Sequence, residues 1–188
     1  MYFILSLVFA IGVLTKLADL IADDGLKVRK TLSYAVGMFY GFLAAYVLAA
    51  EPLLASIILA AVIAVLLMEK IDKQPHIVGI AAMLFMLGIW GFPPINVVLL
   101  ALFTATGIID EVGNDFSDKG RIKGRFRRVM EYRPTSNIFG FLVSALTGWW
   151  IIFLGMIVFD AGYIAVGEAG KRLHGTRHTS AGIPKRRA

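Results

Sequence analysis

The chain has 188 residues, 58% of them hydrophobic, a mean hydropathy of +0.75 and a formal net charge of +6. A soluble domain is about 45–50% apolar, so this composition excludes an ordinary water-solvated fold and calls for a bilayer. The absence of cysteine excludes disulfides, thiolate metal sites and a cysteine nucleophile. No nucleic-acid-reading module accompanies the positive charge, which excludes nucleic acid as the expected partner.

A bilayer core about 30 Å thick needs about 20 apolar residues per helix, and the chain offers such runs in succession. Helix 1 is expected over 2–22, retained and not cleaved, because no basic segment precedes Tyr2-Phe3-Ile4-Leu5. Helix 2 follows over 32–50, and Glu51-Pro52 marks a turn. Helices 3, 4 and 5 are expected over 53–70, 77–91 and 95–113, with Gly91-Phe92-Pro93-Pro94 as the break between the last two. A polar loop over 114–136 leads to a final apolar stretch over 137–168. As one helix that stretch would be roughly 48 Å long at about 1.5 Å per residue. It either tilts as a sixth helix or breaks near Thr147-Gly148 into a short half-helix and a full seventh one. The expected fold is therefore an all-α polytopic transmembrane bundle of six helices, with seven as the alternative. One membrane domain covers 1–168, and residues 169–188 form a basic tail whose Gly, Ser, Thr and Arg content reads as disordered.

The loops sort the two sides of the membrane. Lys27, Arg29 and Lys30 follow helix 1, Lys70 and Lys73 follow helix 3, and the densest basic stretch, residues 119–128, follows helix 5 together with Arg133. The breaks after helices 2 and 4 contain no lysine or arginine. The positive-inside rule then puts the ends of helices 1, 3 and 5 in the cytoplasm and the N-terminus outside, in an integral protein of the cell membrane. A single sixth helix would carry the basic tail outside; a break at Thr147-Gly148 would return it.

Two segments echo one another. Thr15, Asp19 and Asp23 close helix 1 at spacings of four, and Thr106, Asp110 and Asn114 close helix 5 in the same way. Spacing of four puts each set on one helix face. The same offset sets Glu69 against Asp160, a pattern that suggests an internal duplication. A carboxylate inside a bilayer costs about 2.5–3.5 kcal/mol and is normally kept facing a bundle interior or a wet cavity. Clustered carboxylates repel unless a cation neutralises them, and oxygen-only donors favour a hard divalent ion. Asp19, Asp23, Asp110, Asp115 and Asp118 are the candidate Mg²⁺ ligands, and Arg121, Lys123 and Arg125 the candidate phosphate contacts. The bland reading treats the outer acids and bases as interfacial ion pairs, topology signals and lipid contacts. His76 after Pro75 reads as a solvated loop residue. Gly37 and Gly41 form a small-xxx-small pair that hints at close helix contact.

Asn114-Asp115-Phe116-Ser117-Asp118 followed by Arg133-Pro134-Thr135-Ser136 resembles the first motif of the intramembrane prenyltransferases of the UbiA type. Asp19-Leu-Ile-Ala-Asp23-Asp24, then Lys30-Thr31-Leu32 and Gly37, is similar to that family's second motif. The two stand here in reversed order, in a chain shorter than family members. The resemblance implies Mg²⁺ held by both aspartate sets, a prenyl diphosphate between them, and an aromatic or lipid-alcohol acceptor.

Two functional classes emerge beside a purely structural membrane subunit. The first is a Mg²⁺-dependent membrane enzyme acting on a prenyl diphosphate or phosphorylated lipid at the cytoplasmic face. The second is a cation transporter or channel lined by the repeated aspartates. A transport path wants acids near the midplane and in both leaflets, whereas the enzyme wants them on one side. Oligomeric state has no signature in the sequence.

Overall fold

The computed structural model describes residues 1–23, 29–69, 73–122 and 133–180. These form seven helices: α1 (Tyr2–Asp23), α2 (Thr31–Ala50), α3 (Pro52–Leu67), α4 (Gln74–Trp90), α5 (Val97–Asp118), α6 (Pro134–Thr147) and α7 (Ile151–Ser180). Four of them, α1, α2, α5 and α7, are long and apolar enough to cross a membrane. The chain breaks at Thr147-Gly148, where Gly148 ends α6 in the left-handed conformation (φ 77°). The seven-helix alternative therefore describes the helix count among the described residues. At 14 residues, α6 is roughly 21 Å long, short of a bilayer core.

Proline starts helices here more often than it ends them. Pro52, Pro75 and Pro134 all stand in the first turn of α3, α4 and α6, where the missing N–H would have no intrahelical partner anyway. For this reason α4 begins at Gln74 and takes in Pro75 and His76, which the sequence reading placed in a loop. Likewise α5 runs to Asp118 and carries Asn114 to Asp118 on the helix, not in the loop expected from 114. At the far end α7 continues past 168, the expected close of the membrane domain, to Ser180.

The contacts between helices set their directions. Gly12 lies against Phe159, Gly162 against Phe9 and Val13, and Gly170 against Leu20, so α1 and α7 run parallel. Gly37 meets Pro75 and Gly41 meets Gly79, so α2 and α4 run parallel as well. Ser56 accepts from the Asn96 N–H at 2.9 Å, and Ala64 touches Gly107, which aligns α3 with α5. The α6–α7 pair is antiparallel, with Gly140 against Met156 and Ser144 bonded to the Trp149 carbonyl. The C-ends of α1, α3, α5 and α7 and the N-ends of α2, α4 and α6 consequently meet at one end of the bundle. Lys16, Arg29, Lys30, Lys73, Lys119, Arg121, Arg133, Lys171 and Arg172 all belong to that end.

The opposite half holds the dry core. Val47, Leu48, Leu54, Leu87, Leu99 and Ile152 are buried there, with Tyr40, Met83 and Phe103 nearer the middle. The outer surface is apolar as well: Phe85, Ile89 and Leu146 are 66%, 62% and 86% exposed. A surface of this kind needs lipid or protein against it.

Helix contact rests on missing side chains. A Cβ on Gly41 would lie 2.2 Å from the Gly79 carbonyl oxygen, and one on Gly37 equally close to the Pro75 oxygen. Replacing Gly41 by valine is expected to cost roughly 1–3 kcal/mol by overpacking, whereas Gly88→Ala, which meets nothing within 4 Å, leaves stability unchanged or slightly raised. Thermal unfolding of the two variants in the same detergent measures the difference.

Candidate functional site

A cavity of about 1360 Å³ opens between the helices and reaches the polar end. Ligand pockets typically measure about 300–1,000 Å³, so this one has room for a long ligand. Its body is apolar, walled by Ile11, Leu54, Ile58, Val62, Phe103 and Met156. Toward its polar end it carries four basic side chains, Lys16, Lys73, Arg133 and Lys171, and four acidic ones, Asp19, Glu69, Glu111 and Glu168, with Asp160 deeper, near the middle of the α7 apolar span. An amphiphile fits this division: chain inward, headgroup at the charged end.

Asp19 is the most heavily engaged of the acids. It is 8% exposed on α1. Lys73 Nζ and His76 Nε2 bond its Oδ1 at 3.0 and 2.9 Å, and the Tyr163 hydroxyl donates to its Oδ2 at 2.9 Å. Lys16 Nζ stands 3.8 Å from Oδ2 and donates to the Tyr163 oxygen at 3.2 Å. On its other side the His76 ring meets the Tyr40 hydroxyl at 2.8 Å from Nδ1. Taking a carboxylate out of water costs several kcal/mol, and hydrogen bonds to a charged group return about 1.5–3 kcal/mol each. Three such bonds, two from the start of α4 and one from α7, hold Asp19 in place and tie α1 to both helices.

Asp110 solves the same problem differently. It is 1% exposed on α5 and accepts the backbone N–H groups of Thr135 and Ser136, each at 2.9 Å. These are first-turn donors of α6, which have no intrahelical acceptor. Arg133, the residue before Pro134, has no side-chain cap bond, so Asp110 caps α6 from another helix. Negative charge at a helix N-terminus gains further from the peptide dipoles. The Ser136 hydroxyl donates to Thr106 at 3.3 Å, so the Thr106–Asp110 face named from the spacing is the face that meets α6.

The sequence-predicted site is thus divided. Asp19 lines the cavity; Asp110 is not among its lining residues. Asp115 pairs with Lys119 at 3.9 Å on the helix surface. Arg121 lies over the Phe116 ring at 5.4 Å and is exposed. Asp23 and Asp118 end α1 and α5, but their side chains are outside the described residues, as are Lys123 and Arg125. Among the described residues no group of three or more His, Asp or Glu side chains is set to hold a metal. Asp19 and Asp110 each accept hydrogen bonds from protein donors, and of the two Asp19 alone is among the cavity's lining residues. Glu69, Glu111, Asp160 and Glu168 line the cavity beside Asp19, and Asp160 accepts from Asn137 Nδ2 at 2.8 Å.

Sequence reasoning missed Tyr40, Lys73, His76 and Tyr163 as site residues. One signal was available for His76: a proline followed by a polar residue ahead of an apolar run is a helix-start pattern. Ser117 was quoted only within a motif. It is 3% exposed, lines the cavity, and its Oγ has no hydrogen-bond partner among the described residues.

Removing the Asp110 carboxylate separates its two readings. Asp110→Ala is expected to leave two N–H groups unpaired at a cost of about 1–3 kcal/mol and to speed amide exchange at Thr135 and Ser136. If Mn²⁺ binding is lost instead, with exchange in α6 unchanged, the capping role is wrong. The chain matches no protein-family model, no curated protein and no solved structure.

Proposed function

We propose that this chain is a membrane-embedded enzyme that takes a prenyl diphosphate or phosphorylated lipid into the cavity, apolar chain inward and headgroup at the charged end. The carrying observation is the cavity itself, with aliphatic walls from Ile11 to Met156 and charged side chains at one end. Both segments that resemble UbiA-type motifs reach it, Asp19 from one and Asn114, Ser117 and Arg133 from the other. In this reading α1 to α5 and α7 span the cell membrane, α6 is a half-length helix, and the charged end faces the cytoplasm. The basic loops follow from that orientation, and the break at Gly148 returns the basic tail to the same side.

Charge balance shapes the ligand. Five acids against four bases would repel a bare diphosphate. Mg²⁺ commonly takes one or two carboxylates and completes its shell with substrate phosphates. Glu111 and Asp160 are the carboxylates suited to such an ion, and when bound it would neutralise phosphate charge. Lys16, Arg133 and Lys171 would contact the phosphate oxygens, and their charge would favour departure of the diphosphate. Lys123 and Arg125, outside the described residues, stay in the proposal as phosphate contacts on the strength of the sequence alone. Cation transport keeps one specific observation, Asp160 near the middle of the α7 apolar span, while the other cavity acids lie toward the charged end.

The test uses the full chain in nanodiscs, titrated with farnesyl diphosphate and Mg²⁺. Loss of a charge-assisted contact is worth about 1.5–3 kcal/mol, so Arg133→Gln is expected to weaken binding at least about tenfold. Val62→Trp, which fills the apolar body, is expected to weaken farnesyl diphosphate while leaving inorganic diphosphate binding alone. If neither farnesyl diphosphate nor phosphatidic acid binds, or if both variants bind like wild type, the function is not this one.

A further inference from the structure

We infer that Tyr40, His76 and Asp19 form a proton relay that accepts the hydroxyl proton of a second substrate at the charged end of the cavity. Tyr40 is the catalytic residue of the three, and His76 and Asp19 are positioning residues behind it. All three line the cavity. The distances are 2.8 Å from the Tyr40 hydroxyl to His76 Nδ1 and 2.9 Å from His76 Nε2 to Asp19 Oδ1.

The direction of the relay follows from donor chemistry. An ionised carboxylate only accepts hydrogen bonds, so the His76 nitrogen facing Asp19 carries the hydrogen. In the neutral ring the other nitrogen, Nδ1, then has the lone pair. It faces the Tyr40 hydroxyl and accepts its hydrogen. The tyrosine oxygen keeps lone pairs for a donor on its open side. This is the nucleophile–base–orienter arrangement of hydrolytic triads, with a phenol in place of the serine.

The packing of α2 on α4 is built around this phenol. A Cβ on Gly79 would lie 2.5 Å from the Tyr40 hydroxyl oxygen and from its Cζ. Any side chain at position 79 would push the phenol off His76. Gly37 against Pro75 and Gly41 against Gly79 bring the two helices close on either side of Tyr40. Asp19 does not need His76 to be satisfied, since Lys73 and Tyr163 already bond both of its oxygens. The imidazole adds a bridge from the carboxylate to the phenol.

In the reaction, an acceptor hydroxyl gives its proton to the Tyr40 oxygen as the Tyr40 proton passes to His76 Nδ1. The acceptor oxygen forms its bond to the first carbon of the prenyl chain while that carbon's bond to the diphosphate breaks, the electron pair leaving with the diphosphate. His76 then returns the proton through Tyr40 to the departing diphosphate or to water. Asp19 holds the imidazolium meanwhile. The acceptor class, a hydroxyl compound, rests on the lipid-diphosphate reading above; the hydrogen-bond direction within the relay does not. The groups facing His76 are Asp19 and Lys16 on α1, Tyr40 on α2, Lys73 at the start of α4 and Tyr163 on α7, with Glu69 beyond α3 on the same cavity.

The experiment has two arms on the full chain in nanodiscs. Nitrogen-15 spectra of labelled histidine, taken at alkaline pH where imidazole is neutral and with His76→Gln for assignment, are expected to show His76 as one tautomer protonated at Nε2. Tyr40→Phe should move the Nδ1 resonance alone, and Asp19→Asn should shift more than half the population to the other tautomer. Turnover of farnesyl diphosphate with 1-decanol and Mg²⁺ is expected to fall at least a hundredfold in Tyr40→Phe and His76→Gln with binding of farnesyl diphosphate unchanged. His76 with the tautomer mixture of free histidine, or indifferent to Tyr40→Phe, overturns the relay. So does full turnover in Tyr40→Phe. A wild-type chain that binds no farnesyl diphosphate yet shows the expected tautomer overturns the lipid reading and leaves the relay standing.

Discussion

Backbone meeting backbone at glycine is the contact on which the rest of this bundle depends. Inside lipid, apolar side chains gain nothing by leaving the solvent, so helices associate through close van der Waals packing. Here the closest packing is between parallel helices: α1 with α7 through Gly12 and Gly162, and α2 with α4 through Gly37, Gly41 and Gly79. Each clamp brings a carbonyl to where a Cβ would otherwise stand. The two clamps leave space elsewhere. Between them α3 and α5 contribute Ala61, Val62, Val65 and Gly107 to the cavity wall, while the larger Leu48, Leu87 and Leu99 close the other end. Tight pairs at the flanks and small residues in the middle therefore produce a hollow with one sealed end and one charged end.

The charged end is stabilised by two aspartates that use one geometric idea. Each lies near the C-end of a helix that meets, in space, the N-end of another helix with proline in its first turn. Asp110 takes the free N–H groups of α6 directly. Asp19 takes the side chains at the start of α4, Lys73 and His76. The difference decides what remains for chemistry. Asp110 is held by backbone N–H groups, and it meets the cavity only through Ser136, which lines it. Asp19 is held by titratable and hydroxyl-bearing groups that themselves face the cavity, so changes there reach it.

Much of the architecture was legible because its cause is local. Apolar runs long enough for a bilayer marked α1, α2 and α5, and Gly148 marked the break that made α6 and α7 separate helices. The Gly37–Gly41 pair pointed to the contact it makes. Reading Pro75 as a loop marker hid His76, because the same residue type ends a helix from inside and begins one from its first turn. The Thr106–Asp110 face was identified correctly from spacing, but its partner, a pair of backbone N–H groups 25 and 26 residues away, leaves no side-chain signature. Composition does not separate a carboxylate that caps a helix, as Asp110 does, from one that holds a metal, because both are the same letter.

Backbone conformation at the cavity edge carries the argument one step further. Glu69 and Arg133 are the non-glycine residues with positive φ among those described, at 54° and 47°. Left-handed backbone costs an ordinary residue roughly 1–2 kcal/mol, and the position after a helix end, where Glu69 stands behind α3, is most often glycine. Both residues line the cavity, one acidic and one basic. Glycine at either site would relax the chain and remove a charge from the cavity lining. Retaining the charged side chain at a strained position means that the stability lost there is offset by packing elsewhere in the bundle, and strain of this kind collects where ligands are handled.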